Sequence, residues 1–388
     1  MQGFIFTPWH GQKMCRTFWE NWACCRQKAL PLNNQSTVHH SESEMRTARI
    51  DAIQYLRGIA ALAVVIAHIA SMQHSVAPEL PAVLPEFNGF WGVDIFFIIS
   101  GFIIVYITRS AAAGGKEAVI FMLKRMVRIV PAYWFFTVLV YFADTQHWFS
   151  DQQNSTNLAM LLKSLLFIKP GFPLLFVGWT LTLEMFFYVI FMVALWRWDA
   201  AVRVWPIVVV FVFLALVPVW FDVENRYVKF YTQAILLEFV AGMLIAYFFV
   251  DKERLSQSAA VAIFLVGCGL LLGVTYYLDD EVLIPQRAFW WGVPALLIVL
   301  GAVNIKNIGN NQLLHAAGTI SYSLYLCHMP CAYAGVVLAK YFFAGSPNFL
   351  GWYVVITLIL TLLVSIASWR LLEYWPQLAL RRAIGEAA

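Results

Sequence analysis

Tyr55–Ala70, YLRGIAALAVVIAHIA, is an apolar run that holds a guanidinium at Arg57 and an imidazole at His68. With its flanks it reaches the roughly 20 residues that cross a bilayer as a helix. Eleven steps of about 100° return a helix to nearly the same heading, so both side chains leave the same face. Ionisable groups at that depth are costly unless they line a polar interior. The stretch therefore predicts a membrane helix with one face turned inward, and it is the first place to look for chemistry.

The rest of the chain agrees with that reading. Hydrophobic residues make up 61% and charged residues 12% of 388, and mean hydropathy is +0.71. A soluble domain carries roughly twice that charged fraction. Apolar runs fall near 52–71, 90–109, 119–142, 175–197, 204–221, 231–250, 258–278, 288–304, 317–341 and 350–372. The apolar stretch 158–168 is too short for a crossing and predicts a surface or re-entrant helix. Lys and Arg gather before span one, between spans two and three, and after spans four, six, eight and ten; the alternate connections hold acidic residues instead. The positive-inside rule then puts both termini in the cytoplasm, consistent with an even number of crossings. The expected fold is an all-α polytopic membrane bundle of about ten transmembrane helices. A bacterial inner membrane is the expected location.

Residues 1–49 are polar and lack sustained apolar periodicity or a signal-peptide core; they predict a disordered extension or a misassigned start, with Met45 the candidate authentic start. The transmembrane domain is expected at 50–375 and a short cytoplasmic tail at 376–388. The six cysteines have no metal-ligand spacing, so no metal is expected. No internal repeat is evident, which weakens a transporter reading built on inverted repeats.

Several polar groups stand out against this apolar background. Asp94, early in span two, falls at the depth of His68 late in span one; a carboxylate on one ring nitrogen would leave the other as a general base. Glu184, inside span four, must be neutralised, paired or wet, and Arg57 is a candidate partner. Arg125 and Arg128, three apart on one helix face before Pro131, are either topology determinants or a site for an anionic cofactor. Ser321, Tyr325 and His328 at i, i+4 and i+7 form a polar stripe that serves either packing or a substrate path. Trp179 belongs either to an interfacial aromatic belt or to a sugar-stacking surface.

Taken together, these segments resemble the acyltransferase-3 family of integral membrane acyltransferases. The resemblance rests on YLRGIAALAVVIAH as an R-x₁₀-H signature, GVDIFFIISGF, KRMVRIVPAYW, GWTLTLEMFFY and SYSLYLCHMP, in order over roughly residues 50–375. Thr180 stands where serine is common, and Phe186 where a polar residue is usual. The stand-alone, exopolysaccharide-modifying members are the nearest in character. The resemblance implies acyl transfer from cytoplasmic acyl-CoA, usually acetyl-CoA, to a hydroxyl of a cell-surface or lipid-linked carbohydrate, with essential roles for Arg57 and His68. His68 would serve as base, with Asp94 its candidate partner and Glu184 a further candidate catalytic residue. Arg57, Arg125 and Arg128 would bind the donor; Trp179, Ser321, Tyr325 and His328 would line the pocket. The partners implied are acyl-CoA, a carbohydrate acceptor and the bilayer, with no nucleic acid. His68 lies about 16 Å beyond Arg57 along the helix axis. The acyl group either reaches that depth on the pantetheine arm or passes through an enzyme-bound intermediate. The competing reading is a secondary transporter or flippase for a lipid-linked sugar or a small organic acid.

Overall fold

The computed structural model describes residues 36–146, 157–249, 255–284, 286–306 and 308–385. Helix α1 (Ser36–Val76) is followed by α2 (Gly92–Thr108), α3 (Gly115–Thr145) and the short α4 (Leu158–Leu165). A 3₁₀ turn at Phe176–Gly178 leads into α5 (Trp179–Arg197) and α6 (Val204–Trp220). Next come α7 (Arg226–Tyr231), α8 (Leu236–Phe249), α9 (Gln257–Tyr277), α10 (Asp280–Leu283), α11 (Arg287–Trp290) and α12 (Gly292–Asn304). The long α13 (Gln312–Phe343) and α14 (Phe349–Ser368) precede a π-helical segment, Trp369–Tyr374, and α15 (Trp375–Ala383).

Among the described residues, eight helical stretches are long and apolar enough to cross a membrane, and two 17-residue apolar helices, α2 and α6, coincide with the other two expected spans. The polytopic helical bundle read from the sequence is the fold. The stretch at 158–168 forms only an eight-residue helix, capped by Asn157 and tied to α3 through the Tyr133 hydroxyl and the Trp134 indole. Residues 1–35 lie outside the described residues; from Ser36 the chain is helical and runs unbroken into the first span. Side-chain caps start helices where the sequence supplies Asn or Ser: Asn225 for α7, Ser256 for α9 and Asn311 for α13.

Helix α1 packs most extensively on α13, and α13 on α14; α2 pairs with α8, and α9 with α12. Two of these crossings depend on glycine. A Cβ at Gly318 would sit 2.1 Å from the Gln54 carbonyl, and one at Gly58 would sit 2.9 Å from the Gly318 nitrogen. A Cβ at Gly242 of α8 would meet the Ile98 carbonyl of α2 at 1.9 Å. Small residues let backbones touch where burial from water cannot drive helix association. Inside, Phe239 stacks on Phe187 at 4.6 Å and meets Phe97 at 4.7 Å. Outside, Val209, Phe213, Leu272 and Leu363 are all at least 60% exposed. In water such a face would invite association; in a bilayer it meets acyl chains.

Candidate active site

Helices α1, α2, α3, α5 and α13 line a partly open cavity, narrow inside, whose empty space including its mouth is about 730 Å³. Its lining includes the guanidinium groups of Arg57, Arg125 and Arg128 and the single carboxylate of Glu184. Arg57 is 7% and Arg125 5% exposed, although both are cations among apolar helices. Arg125 lies 5.8 Å from the ring centres of Phe121 and Tyr188, and its Nε is buried without a hydrogen-bond partner. A buried donor left unmade costs about 1–3 kcal/mol. That orphan and the excess of cations fit an anionic guest.

Glu184 does not form the ion pair with Arg57 that its place in span four suggests. Its Oε1 accepts from Ser100 Oγ at 2.8 Å and from the Tyr188 hydroxyl at 2.5 Å. A second carboxylate, Glu373, is 4% exposed and accepts from Ser323 Oγ at 2.5 Å. It lies in the π-helical segment, where an extra residue per turn rotates a side chain inward. Arg57 lies within the fields of Glu373, Glu184 and Arg128.

His68 is half-buried and is not among the residues lining the cavity. Its ring sits between the edges of Phe90, 4.9 Å away, and Phe176, 6.0 Å away. The Val64 carbonyl lies 2.9 Å from its Nδ1. A carbonyl only accepts, so the proton resides on Nδ1 and the Nε2 lone pair is left available. His328, 1% exposed, places Nε2 3.3 Å from the same Nδ1.

Asp94 does not reach His68, which corrects the expected pairing. It is fully buried and grips Arg287 through two bonds, Nε to Oδ1 at 3.2 Å and Nη2 to Oδ2 at 2.6 Å. The physical reason is a stronger partner: a fork of two charge-assisted bonds outweighs a single bond to a neutral imidazole. Arg287 also lies 5.6 Å from the ring centre of Trp179 and 5.2 Å from that of Trp291, and Nη2 donates to the Phe90 carbonyl. Trp179 thus stacks on a cation inside the bundle.

The polar stripe of α13 divides three ways. Tyr325 lines the cavity, and its hydroxyl meets Thr180 Oγ1 at 3.0 Å and the Val177 carbonyl at 3.1 Å. Its ring is 5.9 Å from that of His328, so it stands between the cavity and the histidine pair. Ser321 bonds back to the Gly318 carbonyl of its own helix and is not among the residues lining this cavity.

Sequence reasoning missed Arg287, Glu238 and Glu373. Glu238 (3% exposed) acts electrostatically with Asp94 and Arg287. Both glutamates are lone carboxylates in apolar runs, LLEFVAG and RLLEYWP, the signal that singled out Glu184. Arg287 begins a span and looks like an ordinary flanking charge.

An all-helical membrane bundle with an arginine-lined cavity and a tautomer-fixed histidine has the frame of an integral-membrane group-transfer enzyme. A model described as an acyltransferase domain matches residues 50–370, and the chain belongs to the acyltransferase-3 family. It is 33% identical over 269 residues to the exopolysaccharide production protein ExoZ of Rhizobium meliloti (strain 1021), covering 64% of this chain and 77% of the relative. It is 26% identical over 348 residues to BcsY of Komagataeibacter xylinus, named as a membrane-bound transacylase, covering 83% of this chain and 81% of the relative. No solved structure matches the chain. The protein is a multi-pass membrane acyltransferase.

Proposed function

We propose that this enzyme transfers an acetyl group from cytoplasmic acetyl-CoA to a hydroxyl of an exopolysaccharide or its lipid-linked precursor, in a bacterial inner membrane. The carbohydrate acceptor is inferred from the ExoZ relative, which is named as an exopolysaccharide production protein. The orientation follows the lysines and arginines that flank alternate connections, so the Arg125/Arg128 end faces the cytoplasm.

Arg57, Arg125 and Arg128 hold the donor's phosphates, which guanidinium forks bind bidentately. From them the thioester arm would extend along the cavity toward Tyr325, one of its lining residues. His68 Nε2 takes the proton of the sugar hydroxyl as its oxygen attacks the thioester carbonyl. The tetrahedral adduct collapses with cleavage of the C–S bond, and the proton passes from His68 to the departing sulfur. Base catalysis of this kind contributes about 10²–10⁴-fold.

The observation that carries the reading is one helix with both ends of the chemistry on it: Arg57 in the cationic cavity and His68 with a free Nε2. The test is thiol release from acetyl-CoA by purified protein in proteoliposomes given acceptor oligosaccharide. Thiol release matched by ester formation on the glycan is expected. Movement of unmodified glycan across the membrane without thiol release would favour the transporter reading and overturn this one.

A further inference from the structure

We propose that His328 is the positioning partner of His68: its Nε2 accepts the His68 Nδ1 proton in a hydrogen bond that strengthens when His68 becomes cationic. This rests on the reading of His68 as the base.

The bond partners fix both tautomers. Because Val64 can only accept, His68 carries its proton on Nδ1. A proton on His328 Nε2 would then point at another proton across 3.3 Å, so His328 Nε2 bears the lone pair and Nδ1 the hydrogen. That Nδ1 is buried and makes no hydrogen bond, although the Leu324 and Tyr325 carbonyls one turn back on α13 act on the ring and favour a proton there. The Nδ1–H of His68 is thus shared between a carbonyl and an imidazole, while Nε2 remains open for a hydroxyl.

None of the described carboxylates near the cavity is hydrogen-bonded to His68; Glu238, whose oxygens make no hydrogen bond, acts on Asp94 and Arg287 instead. Asp94 grips Arg287, Glu184 accepts from Ser100 and Tyr188, and Glu373 accepts from Ser323. The group left to answer the charge that appears on His68 is a neutral ring, which costs less to bury than a carboxylate. No proton need leave His68 by this route. As the hydroxyl proton arrives on Nε2, the Nδ1–H bond becomes charge-assisted; when the thiolate reclaims that proton, the bond relaxes.

The fold sets this juxtaposition by register. The glycine contact that joins α1 to α13 is at Gly58 and Gly318. His68 and His328 each lie ten residues further along their helices, about 15 Å at 1.5 Å per residue. Equal rises from one contact point bring the two rings to the same height, with centroids 5.0 Å apart.

The test uses full-length protein in proteoliposomes with acetyl-CoA and acceptor oligosaccharide, comparing His328→Leu, His328→Gln and His68→Ala. His328→Leu is expected to lower kcat by roughly ten- to a hundredfold, the range of a lost charge-assisted bond, with the KM for acetyl-CoA unchanged. His328→Gln supplies an amide oxygen to His68 Nδ1 and should recover most of that loss. Wild-type kcat in His328→Leu, or loss in His328→Gln as deep as in His328→Leu with both proteins monodisperse, overturns the proposal. An active His68→Ala overturns the parent reading instead. A second measurement needs no His328 variant: ¹⁵N spectra of histidine-labelled protein, with the His68 signals assigned by their absence in His68→Ala. A protonated Nδ1 and a bare Nε2 are expected at His68; the opposite tautomer refutes the arrangement.

Discussion

At the scale of single residues, the difference between a carboxylate and a carbonyl on Nδ1 matters. A carboxylate would add charge to the site; the Val64 carbonyl fixes the tautomer and adds none. His68→Ala should therefore cut acyl transfer by about 10²–10⁴-fold, while size-exclusion behaviour and thermal unfolding in detergent stay those of wild type; normal transfer would remove the base from the scheme. The donor cations behave differently. Arg125→Lys keeps the charge and loses the fork, so the KM for acetyl-CoA should rise by about tenfold, a loss of about 1.4 kcal/mol. Steady-state titration of acetyl-CoA reads it directly, and an unchanged KM would take Arg125 out of the donor site. Arg57, Arg125 and Glu184 were legible in the sequence, because an ionised group in an apolar run must have a reason to be there. The partner of each was not. Depth allowed Asp94 to meet His68, but depth gives no azimuth, and Arg287 lies 193 residues away in the chain.

At the scale of elements, two buried junctions carry testable energy. Arg287→Gln strands the fully buried Asp94 carboxylate and should destabilise the α2–α11 junction by about 3–5 kcal/mol. Thermal unfolding should show a large loss in the single variant and partial recovery in Asp94→Asn/Arg287→Gln, since the double change removes the unpaired charge; an unfolding temperature equal to wild type in the single variant would mean that the pair is not formed. The second junction is α1 on α13. Gly318→Ala forces a Cβ against the Gln54 carbonyl at 2.1 Å, backbone that cannot rotate away. Overpacking of this kind costs about 1–3 kcal/mol, and the shift should also weaken the His68–His328 contact. Lower thermal stability together with lower kcat is the expected pair of results. The run lengths made the helices visible in advance. Their crossings were not, because a glycine in an apolar run reads the same whether it meets lipid or another backbone.

For the whole molecule, the segregation is along the bundle axis. Three arginines line the cavity, and along α1 His68 lies about 16 Å beyond Arg57, paired there with His328. Periodic apolar runs and flanking charges foretold a polytopic bundle and a proposed orientation. The separation of cavity from histidines by Tyr325 needed coordinates, since it depends on which helices touch. On the proposed reading, donor phosphates and acceptor hydroxyl approach from opposite ends. Acetyl-CoA supplied to the Arg125/Arg128 face of sided proteoliposomes should support transfer, whereas supply to the other face should not. The most direct test follows ¹⁴C-acetyl-CoA in such vesicles with wild-type protein and with His68→Ala. The prediction is label in ester linkage on the glycan, matched one for one by free thiol in the wild type and abolished in the variant. Equal labelling by the two proteins, or thiol release with no ester on the glycan, would contradict it.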